Sequence, residues 1–365
     1  MSAANKSVLQ DIQEQQGATF MADGDWFWMV SQGDALGEYE AIRSGVSIWD
    51  VYALQKWDVT GPDARAAVQR VFTNNLATLS VGQVRYGAFV DDDGMMIDDG
   101  TVYKHADDHY WVMVNSDVFG EVLVGASPGL DFSVAYRTHE MPVISVQGPG
   151  SRELLQGLTD FDLSTLKYFW FVPERVQLAG RPVWLLRTGF SGELGFEVIP
   201  DRDDAVALWS TLCDLGARPI GLDAVEIARI EAGLIIMAVD YQVGETSPFD
   251  VGLDKTVAVS SDADFRGKAA LAAAVTAPAN RFRTLRIDGG VLPEYGAEVF
   301  HGDEVVGTVT SPTDSPRFGI IGLAVLRSDV ADDGSPLEVA VGDGRVKATA
   351  TDLSIHDPEK RKPRS

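Results

Sequence analysis

The amino-acid sequence predicts an α+β protein that ends in a small β-barrel. A meander of apolar runs and acidic turns covers Tyr86 to Asn115, and helical patterns cover Asp203 to Leu215 and Gly221 to Gly233. Short strands then alternate with glycine-rich turns from Arg281 to about Ile355. Apolar residues at every second position indicate strands, and apolar residues at every third or fourth position indicate helices.

The meander contains two adjacent carboxylates. Its first run, Tyr86 to Val90, is followed by the turn Asp91 to Gly94, and a second run leads into Asp98 and Asp99. Acidic triplets that end in glycine are typical of hairpin turns. Because adjacent residues of a strand point to opposite faces, only one of the two carboxylates can face a given cavity. Carboxylates are unfavourable inside strands unless they are solvated or have a function.

The remaining elements are predicted from the same signals. A helix is expected from Asp63 to Phe72, and another begins with Ser151 as its N-cap. The run Tyr168 to Leu178 predicts a strand. The aromatic cluster Trp26 to Met29 fits either packing between domains or one wall of a substrate pocket.

The composition narrows the possible functions. The 365-residue chain has 54 acidic and 30 basic residues, and its net charge of −24 disfavours binding to nucleic acids or anionic membranes. The single cysteine, Cys213, excludes an intramolecular disulfide, and the five histidines are not spaced as metal ligands. No signal-peptide pattern or long apolar segment is found, so the sequence predicts a cytoplasmic protein without a metal site.

The meander resembles the folate-binding segment of the glycine cleavage T-protein (aminomethyltransferase) family, in which a tyrosine, a glycine turn, an Asp-Asp pair, a tyrosine and an asparagine follow in this order. Five further segments support the resemblance: Gln147 to Pro149, Thr188 to Glu197, Arg229 to Gly233, Ser247 to Leu253 and Gly307 to Pro316. The resemblance implies three domains in a cloverleaf around a central channel that holds tetrahydrofolate. It also implies the following division: a split first domain (1–52 and 137–250), a second domain (53–136), a linker (251–279) and the C-terminal barrel (280–365).

The resemblance also implies which residues form the site. Asp99 matches the catalytic acid of the family, and Glu197 matches the carboxylate that accepts the paired N–H donors of the pterin ring. The other expected folate-binding residues are Tyr86 and Tyr103, which line the cavity, Asn115, which offers an amide, Leu54, which lies against the ring, and Phe190, which replaces a family tyrosine.

Some family residues are replaced in this chain. Tyr52-Ala53-Leu54 stands where the T-protein has Ser-His-Met, and Val225 stands where it has an arginine. Replacing arginine by valine removes a fixed positive charge and five hydrogen-bond donors. These changes lie on the donor side of the folate cavity, so we expect that folate is retained and that the donor differs. The expected donor pocket comprises Trp26, Trp28, Tyr52 and Val225.

The predicted function is therefore a tetrahydrofolate-dependent methyltransferase of the demethylase branch of the family. It would move a methyl group from an O-, S- or N-methylated small molecule to N5 of tetrahydrofolate. One alternative is the parent activity, aminomethyl transfer from a lipoyl protein in glycine cleavage. Another is a non-catalytic folate-binding scaffold, although such relatives carry a Lys-Gly-Cys-Tyr type of motif that this chain lacks around Cys213.

Overall fold

The computed structural model describes residues 5–332 and 334–365, and it confirms the α+β class. The helices are Gln10–Gln15 (α1), Ala35–Ser44 (α2), Ala64–Val71 (α3), Phe119–Ala126 (α4), Ser151–Gln156 (α5), Ala205–Asp214 (α6), Leu222–Ala232 (α7) and Lys268–Ala274 (α8). The strands before the barrel are Thr19–Asp23 (β1), Trp26–Ser31 (β2), Ser47–Asp50 (β3), Gln55–Thr60 (β4), Val84–Val90 (β5), Met96–Ala106 (β6), His109–Val114 (β7), Ser133–Tyr136 (β8), Ile144–Gln147 (β9), Val176–Leu178 (β10), Arg181–Leu186 (β11), Gly195–Pro200 (β12) and Arg218–Pro219 (β13).

The predicted meander forms the middle of a five-stranded sheet in the order β5-β6-β7-β4-β8. The turn between β5 and β6 forms because the Asp91 side chain accepts hydrogen bonds from the backbone N–H groups of Asp93 and Met95, while Gly94 takes a positive φ of 79°. Helices α3 and α4 cover one face of the sheet, where Phe89 and Val102 are fully buried. The opposite face is therefore the one available for a site.

A second sheet of six strands has the order β10-β11-β12-β9-β3-β13. On one face, Ile144, Phe196 and Val198 pack with residues of α5 and α6 in a continuous apolar core. On the other face, Trp49 and Ile199 belong to a cluster that also includes residues of the five-stranded sheet. We call this the central cluster; its buried members include Tyr39, Ile42, Trp49, Val51, Val84, Tyr103, Trp111, Met113, Ile199 and Val225.

The C-terminal strands confirm the predicted barrel. They are Asn280–Ile287 (β14), Glu298–His301 (β15), Glu304–Ser315 (β16), Gly319–Arg327 (β17), Pro336–Val341 (β18) and Gly344–Thr351 (β19), and they close in the order β14-β17-β16-β15-β18-β19. Leu285, Val309 and Val339 fill the interior without any solvent exposure. Closure leaves no free strand edge within the barrel.

A buried polar network joins the barrel to the helices. Glu231 on α7 accepts hydrogen bonds from Tyr39 on α2 at 2.7 Å and from Ser315 on β16 at 2.6 Å. Arg43 on α2 forms a salt bridge with the same carboxylate at 2.7 Å and donates to the Ser191 carbonyl at 2.8 Å. All these charges are buried and paired, as the cost of burying an ion requires.

The prediction of a strand over Tyr168 to Leu178 is wrong for most of its length, because only Val176–Leu178 is a strand. Phe169 has a positive φ of 60°, its N–H donates to the Arg187 carbonyl, and its own carbonyl accepts from Val84. The segment thus crosses between the two sheets and bonds to both, and this tertiary arrangement overrides its strand propensity.

Two further local expectations changed. Ser151 is the first helical residue of α5 rather than its N-cap, and its hydroxyl donates to the Leu194 carbonyl at 3.3 Å. The hairpin β1-β2, in which Trp26 pairs with Asp23, was not predicted from the sequence.

In the described part of the chain, no helix combines the length and the apolarity that crossing a bilayer requires. The expected domain boundaries stay predictions.

Candidate active site

The two adjacent carboxylates of β6, Asp98 and Asp99, lie in different environments. Side chains alternate along the strand, so Asp98 lies on the face of Val102, which packs in the core under α3 and α4. Asp99 lies on the face of Tyr103, which belongs to the central cluster. Only Asp99 therefore lies on the face of β6 that carries residues of the central cluster.

Both carboxylate oxygens of Asp98 accept hydrogen bonds, and most of the donors belong to the chain segment directly after β7. Its Oδ1 accepts from the Asp99 N–H at 2.8 Å and from both the backbone N–H and Nδ2 of Asn115, at 3.1 and 2.8 Å. Its Oδ2 accepts from the Ser116 N–H at 2.9 Å. Burial, followed by the negative charge of Asp99, raises the pKa of Asp98 to about 7. This carboxylate has a structural role.

Asp99 is surrounded by three donors on side chains. Tyr86 donates to Oδ2 at 2.7 Å, Tyr241 donates to Oδ1 at 2.7 Å, and Asn115 Nδ2 lies 3.2 Å from Oδ1. Burial raises the pKa of Asp99, and the three hydrogen bonds act in the opposite direction. The structure thus brings together three of the predicted residues, Tyr86, Asp99 and Asn115, around one buried carboxylate.

Tyr241 is the member of this group that the sequence did not reveal. It follows Asp240, whose Oδ2 is paired with Arg229 at 2.7 Å and whose Oδ1 accepts from Thr310 and Ser311. The burial and pairing of Asp240 belong to the folded chain, so the local sequence did not point to Tyr241.

Glu197 lies on β12, on the face that also carries Ile199 of the central cluster. It accepts a hydrogen bond from the Thr188 hydroxyl. Burial raises the pKa of Glu197, whereas Thr188 and the positive charge of Lys56 lower it. The side chain nevertheless keeps partial solvent exposure. A carboxylate that is both desolvated and partly accessible is expected to face an enclosed space between the sheets.

The remaining predicted folate residues and two residues of the predicted donor pocket lie at the central cluster. Tyr103 and Val225 are buried members, and Leu54, Phe190 and Trp28 are partly buried and pack against it. The burial of Tyr103 and the nearby charge of Glu197 raise the pKa of its hydroxyl, so this group remains a neutral donor. Five predicted residues of the folate and donor sites thus share one apolar surface.

Trp26 and Tyr52 form a separate aromatic group with His139. Their ring centroids lie 5.3 Å apart, and the Trp26 ring is stacked on His139 at 6.1 Å. The Tyr52 hydroxyl is hydrogen-bonded to His139 Nδ1 at 2.7 Å. His139 was not predicted, because nothing in its local sequence distinguishes it from an ordinary surface histidine. The expected donor pocket is therefore divided between this group and the central cluster.

No group of three or more His, Cys, Asp or Glu side chains within the described residues is arranged to hold a metal ion.

Two family models match consecutive parts of the chain: the GCVT N-terminal domain over residues 9–261 and the glycine cleavage T-protein C-terminal barrel domain over residues 280–357. The chain belongs to the glycine cleavage T-protein family. The fold, the barrel and the resemblance of the meander are thereby explained by common ancestry.

Similar T-protein family members carry two kinds of name. The trimethylamine-oxide aldolase of Ruegeria pomeroyi is 38% identical over 360 residues, which are 93% of this chain and 45% of that protein. The chain thus spans less than half the length of that relative. Aminomethyltransferases of Saccharopolyspora erythraea and of a Geobacillus species are 32% and 33% identical, with 95% and 96% of their own lengths covered.

A solved T-protein structure has the same fold. The glycine cleavage system aminomethyltransferase T of Bartonella henselae superimposes with a TM-score of 0.88, 21% sequence identity, and coverage of 96% of this chain and 98% of that one. This similarity extends over the sheets and the barrel together, so the arrangement around the central cluster is that of a complete T-protein fold.

Proposed function

We propose that the protein is a tetrahydrofolate-dependent methyltransferase that moves a methyl group from an O-, S- or N-methylated small molecule to N5 of tetrahydrofolate. The observation that carries the proposal is the constellation of Asp99 with Tyr86, Tyr241 and Asn115, on the face of β6 that also carries Tyr103 of the central cluster. Glu197 lies on the face of β12 that carries Ile199 of the same cluster. The proposal combines this retained constellation with the altered residues at the donor side.

The residues present fit a reduced folate. Among the described residues, Thr188 is the hydrogen-bond donor to the Glu197 side chain, so most of the acceptor capacity of that carboxylate remains for a ligand. A pterin ring offers a 2-amino group and a ring N–H side by side, and a carboxylate accepts such a pair in bidentate fashion. Tyr103, Leu54 and Phe190 supply the apolar surface that a flat ring requires.

Asp99 is the group that can manage charge during transfer. Tetrahydrofolate, when bound, would supply N5 as the nucleophile, and transfer would form the N5–methyl bond, break the bond from the donor heteroatom to the methyl carbon and release the N5 proton. The ionised Asp99 Oδ can accept a proton or stabilise nearby positive charge. Tyr86 and Tyr241 favour the ionised form and hold both oxygens in position.

The donor side is apolar and aromatic. Val225, in place of the family arginine, is buried in the central cluster, and Trp28 packs against the same surface. An indole face binds methylated onium groups through cation–π contact and methoxylated rings through stacking. The name of the Ruegeria relative concerns an N-methylated compound, which supports methylated amines as the first donor class to test.

Aminomethyl transfer is the second candidate. In its favour, aminomethyltransferases match this chain over almost their full length at 32 to 33% identity. Against it stand Val225 and the Tyr52-Ala53-Leu54 stretch, because a lost arginine removes an anchor for an anionic partner group.

The deciding experiment is a one-carbon product assay. The protein and tetrahydrofolate are incubated with methylated amines, methylated sulfonium compounds and methoxyaromatics, with aminomethyl-lipoyl protein as a separate arm. The proposal predicts 5-methyltetrahydrofolate with one donor class. Formation of 5,10-methylenetetrahydrofolate from the lipoyl arm alone would refute it in favour of the aminomethyltransferase.

Two variants show whether any product comes from this site. Asp99→Asn should lower product formation by 10²-fold or more. Asp108→Asn is the matched control, because Asp108 is exposed in the turn after β6. Equal loss in both variants would mean that the activity does not depend on Asp99.

A further inference from the structure

A buried lysine, Lys56, lies on the inner face of the five-stranded sheet. It stands directly opposite Met113 in the β4-β7 pair, and opposed residues of antiparallel strands share a face. Its side chain therefore projects on the same side as Met113, a member of the central cluster. The residue is 1% exposed, so its ammonium group requires compensation by nearby acceptors or negative charges.

The contacts of the Lys56 ammonium group are unusual for a buried charge. Nζ donates to the carbonyl oxygens of Val51 and Tyr52 at 2.9 and 2.8 Å. An ammonium group has three donors, and carbonyl dipoles compensate a full charge only in part. The two carbonyls belong to the turn between β3 and β4, which also carries Leu54. The lysine therefore fixes the backbone of the donor side.

Two buried carboxylates supply the opposite charge. Burial lowers the pKa of Lys56 to about 7, while the charges of Asp50 and Glu197 act in the opposite direction. Asp50 Oδ2 already accepts from Ser7 at 2.5 Å and from Gln13 at 3.3 Å, on the side of α1. Glu197 projects from the inner face of the opposing sheet and has fewer donors.

We propose that Lys56 is a positioning residue of the pterin site, whose buried ammonium group provides the countercharge of the Glu197 carboxylate and fixes the Val51–Tyr52 turn beside Leu54. This inference rests on the proposed function, because Glu197 is expected to bind the pterin. Asp50 lies on the side of α1, so Glu197 is the carboxylate that Lys56 compensates in the site itself. A ligand edge with two N–H donors would compensate the same carboxylate from the other side.

Few other groups titrate beside this pair near neutral pH. Burial raises the pKa values of Tyr103 and Tyr168, which face Glu197, so both stay neutral. Burial lowers the pKa of His139, which lies near Lys56, so its ring is neutral in the same range. The pH dependence of binding should therefore reflect Glu197, Lys56 and Asp50. Burial raises the pKa of Asp50 to about 6.

The test is the dissociation constant of tetrahydrofolate as a function of pH. Binding requires ionised Glu197, so affinity falls as the pH drops through its pKa. Lys56→Met and Lys56→Gln remove a positive charge, which raises the pKa of Glu197. The acid limb of the curve of affinity against pH should therefore move to higher pH by on the order of one unit. Above the pKa of Lys56 the wild-type group is also neutral, so the curves should converge there. Lys56→Arg should retain the wild-type acid limb.

Two comparisons separate this role from simple stabilisation of the fold. In a Glu197→Gln background, Lys56→Gln should cause no further loss of affinity. Lys347→Gln, at an exposed position of β19, is the matched control and should change nothing. Lys56→Gln keeps an N–H donor for the turn, so it remains informative if Lys56→Met does not fold.

The outcomes distinguish the two proposals. If the wild-type protein does not bind tetrahydrofolate at any pH, the proposed function fails. If the wild-type protein binds it, but the Lys56 variants leave the acid limb in place or weaken binding equally at every pH, the role of Lys56 is refuted alone.

Discussion

The hydroxyl group of Tyr241 donates to Asp99 Oδ1 at 2.7 Å, although the two residues are 142 positions apart in the chain. Tyr86 donates to the other oxygen at the same distance from a neighbouring strand. The carboxylate is therefore held on both sides by uncharged donors, which favour its ionised form without neutralising its charge. This arrangement makes separate predictions for each of its members.

Asp99→Asn and Asp98→Asn should have opposite consequences. Asp99→Asn should lower turnover by 10²-fold or more with little change in folate binding, because tyrosine hydroxyls can turn to meet an amide. Asp98→Asn should instead lower the free energy of unfolding by about 1–3 kcal/mol, because an NH₂ group would face the Ser116 N–H or the Asn115 donors. Steady-state kinetics and denaturant unfolding of both variants test the pair. An unchanged turnover of Asp99→Asn would remove it from the catalytic role.

Tyr241→Phe should change the pH profile of the reaction. The hydroxyl of Tyr241 lowers the pKa of Asp99, so its removal raises that pKa. Activity that needs the carboxylate is lost as the pH falls, and the acid limb should therefore move to higher pH by on the order of one unit. The control is Tyr295→Phe, since Tyr295 is 58% exposed and donates to the Val239 carbonyl. A profile that stays at the wild-type position would show that Tyr241 does not tune Asp99.

Glu197→Ala should weaken tetrahydrofolate binding by roughly 2 kcal/mol or more, because a charge-assisted bidentate contact is lost. Calorimetric titration measures the effect, and Glu298→Ala, at an exposed position of β15, is the control. If the affinity of Glu197→Ala equalled that of the control, Glu197 would not contact the pterin.

Stability should depend on pH through Asp50 and Asp98. Burial raises the pKa of Asp50 to about 6 and that of Asp98 to about 7, from a usual value of 3.8. Between the usual pKa of 3.8 and the raised pKa values, the folded state binds more protons than the unfolded state. The free energy of unfolding therefore falls as the pH rises from about 4 to about 7. Urea unfolding at pH 5 and pH 8 should show this contribution, on the order of 1 kcal/mol or more. Asp50→Asn should flatten the dependence.

The sequence predicts those parts of the molecule in which local pattern and tertiary structure agree. Apolar and polar residues alternate along the strands of the meander around Asp98 and Asp99, and the meander contains its own turn residues. Its strands, and the orientation of the two carboxylates to opposite faces, could therefore be inferred. The barrel could be predicted for the same reason, because apolar and polar residues alternate along its strands and its turns contain glycine. The barrel closes because its first strand, β14, pairs with its last strand, β19.

The missed features depend on contacts between distant segments. Tyr241 reaches Asp99 only because the chain after α7 returns to the five-stranded sheet. Phe169 takes a positive φ because it bonds both to Val84 and to Arg187. Neither residue has a local pattern that encodes its partner. Similarly, Trp26 and Trp28 share one side of β2 yet pack in different groups, since the surface facing them changes along the strand.

The network around Glu231 limits how a ligand can enter. Glu231 is bonded at once to α2, through Tyr39 and Arg43, and to the barrel, through Ser315. Moving the barrel away would remove the hydrogen bond from Ser315 and leave the buried Glu231 carboxylate short of one donor, which costs about 1–3 kcal/mol. A hinge-like opening of the whole molecule is therefore disfavoured. Exchange of folate and product should proceed by local movements of loops and side chains, while the two large sheets and the barrel stay together.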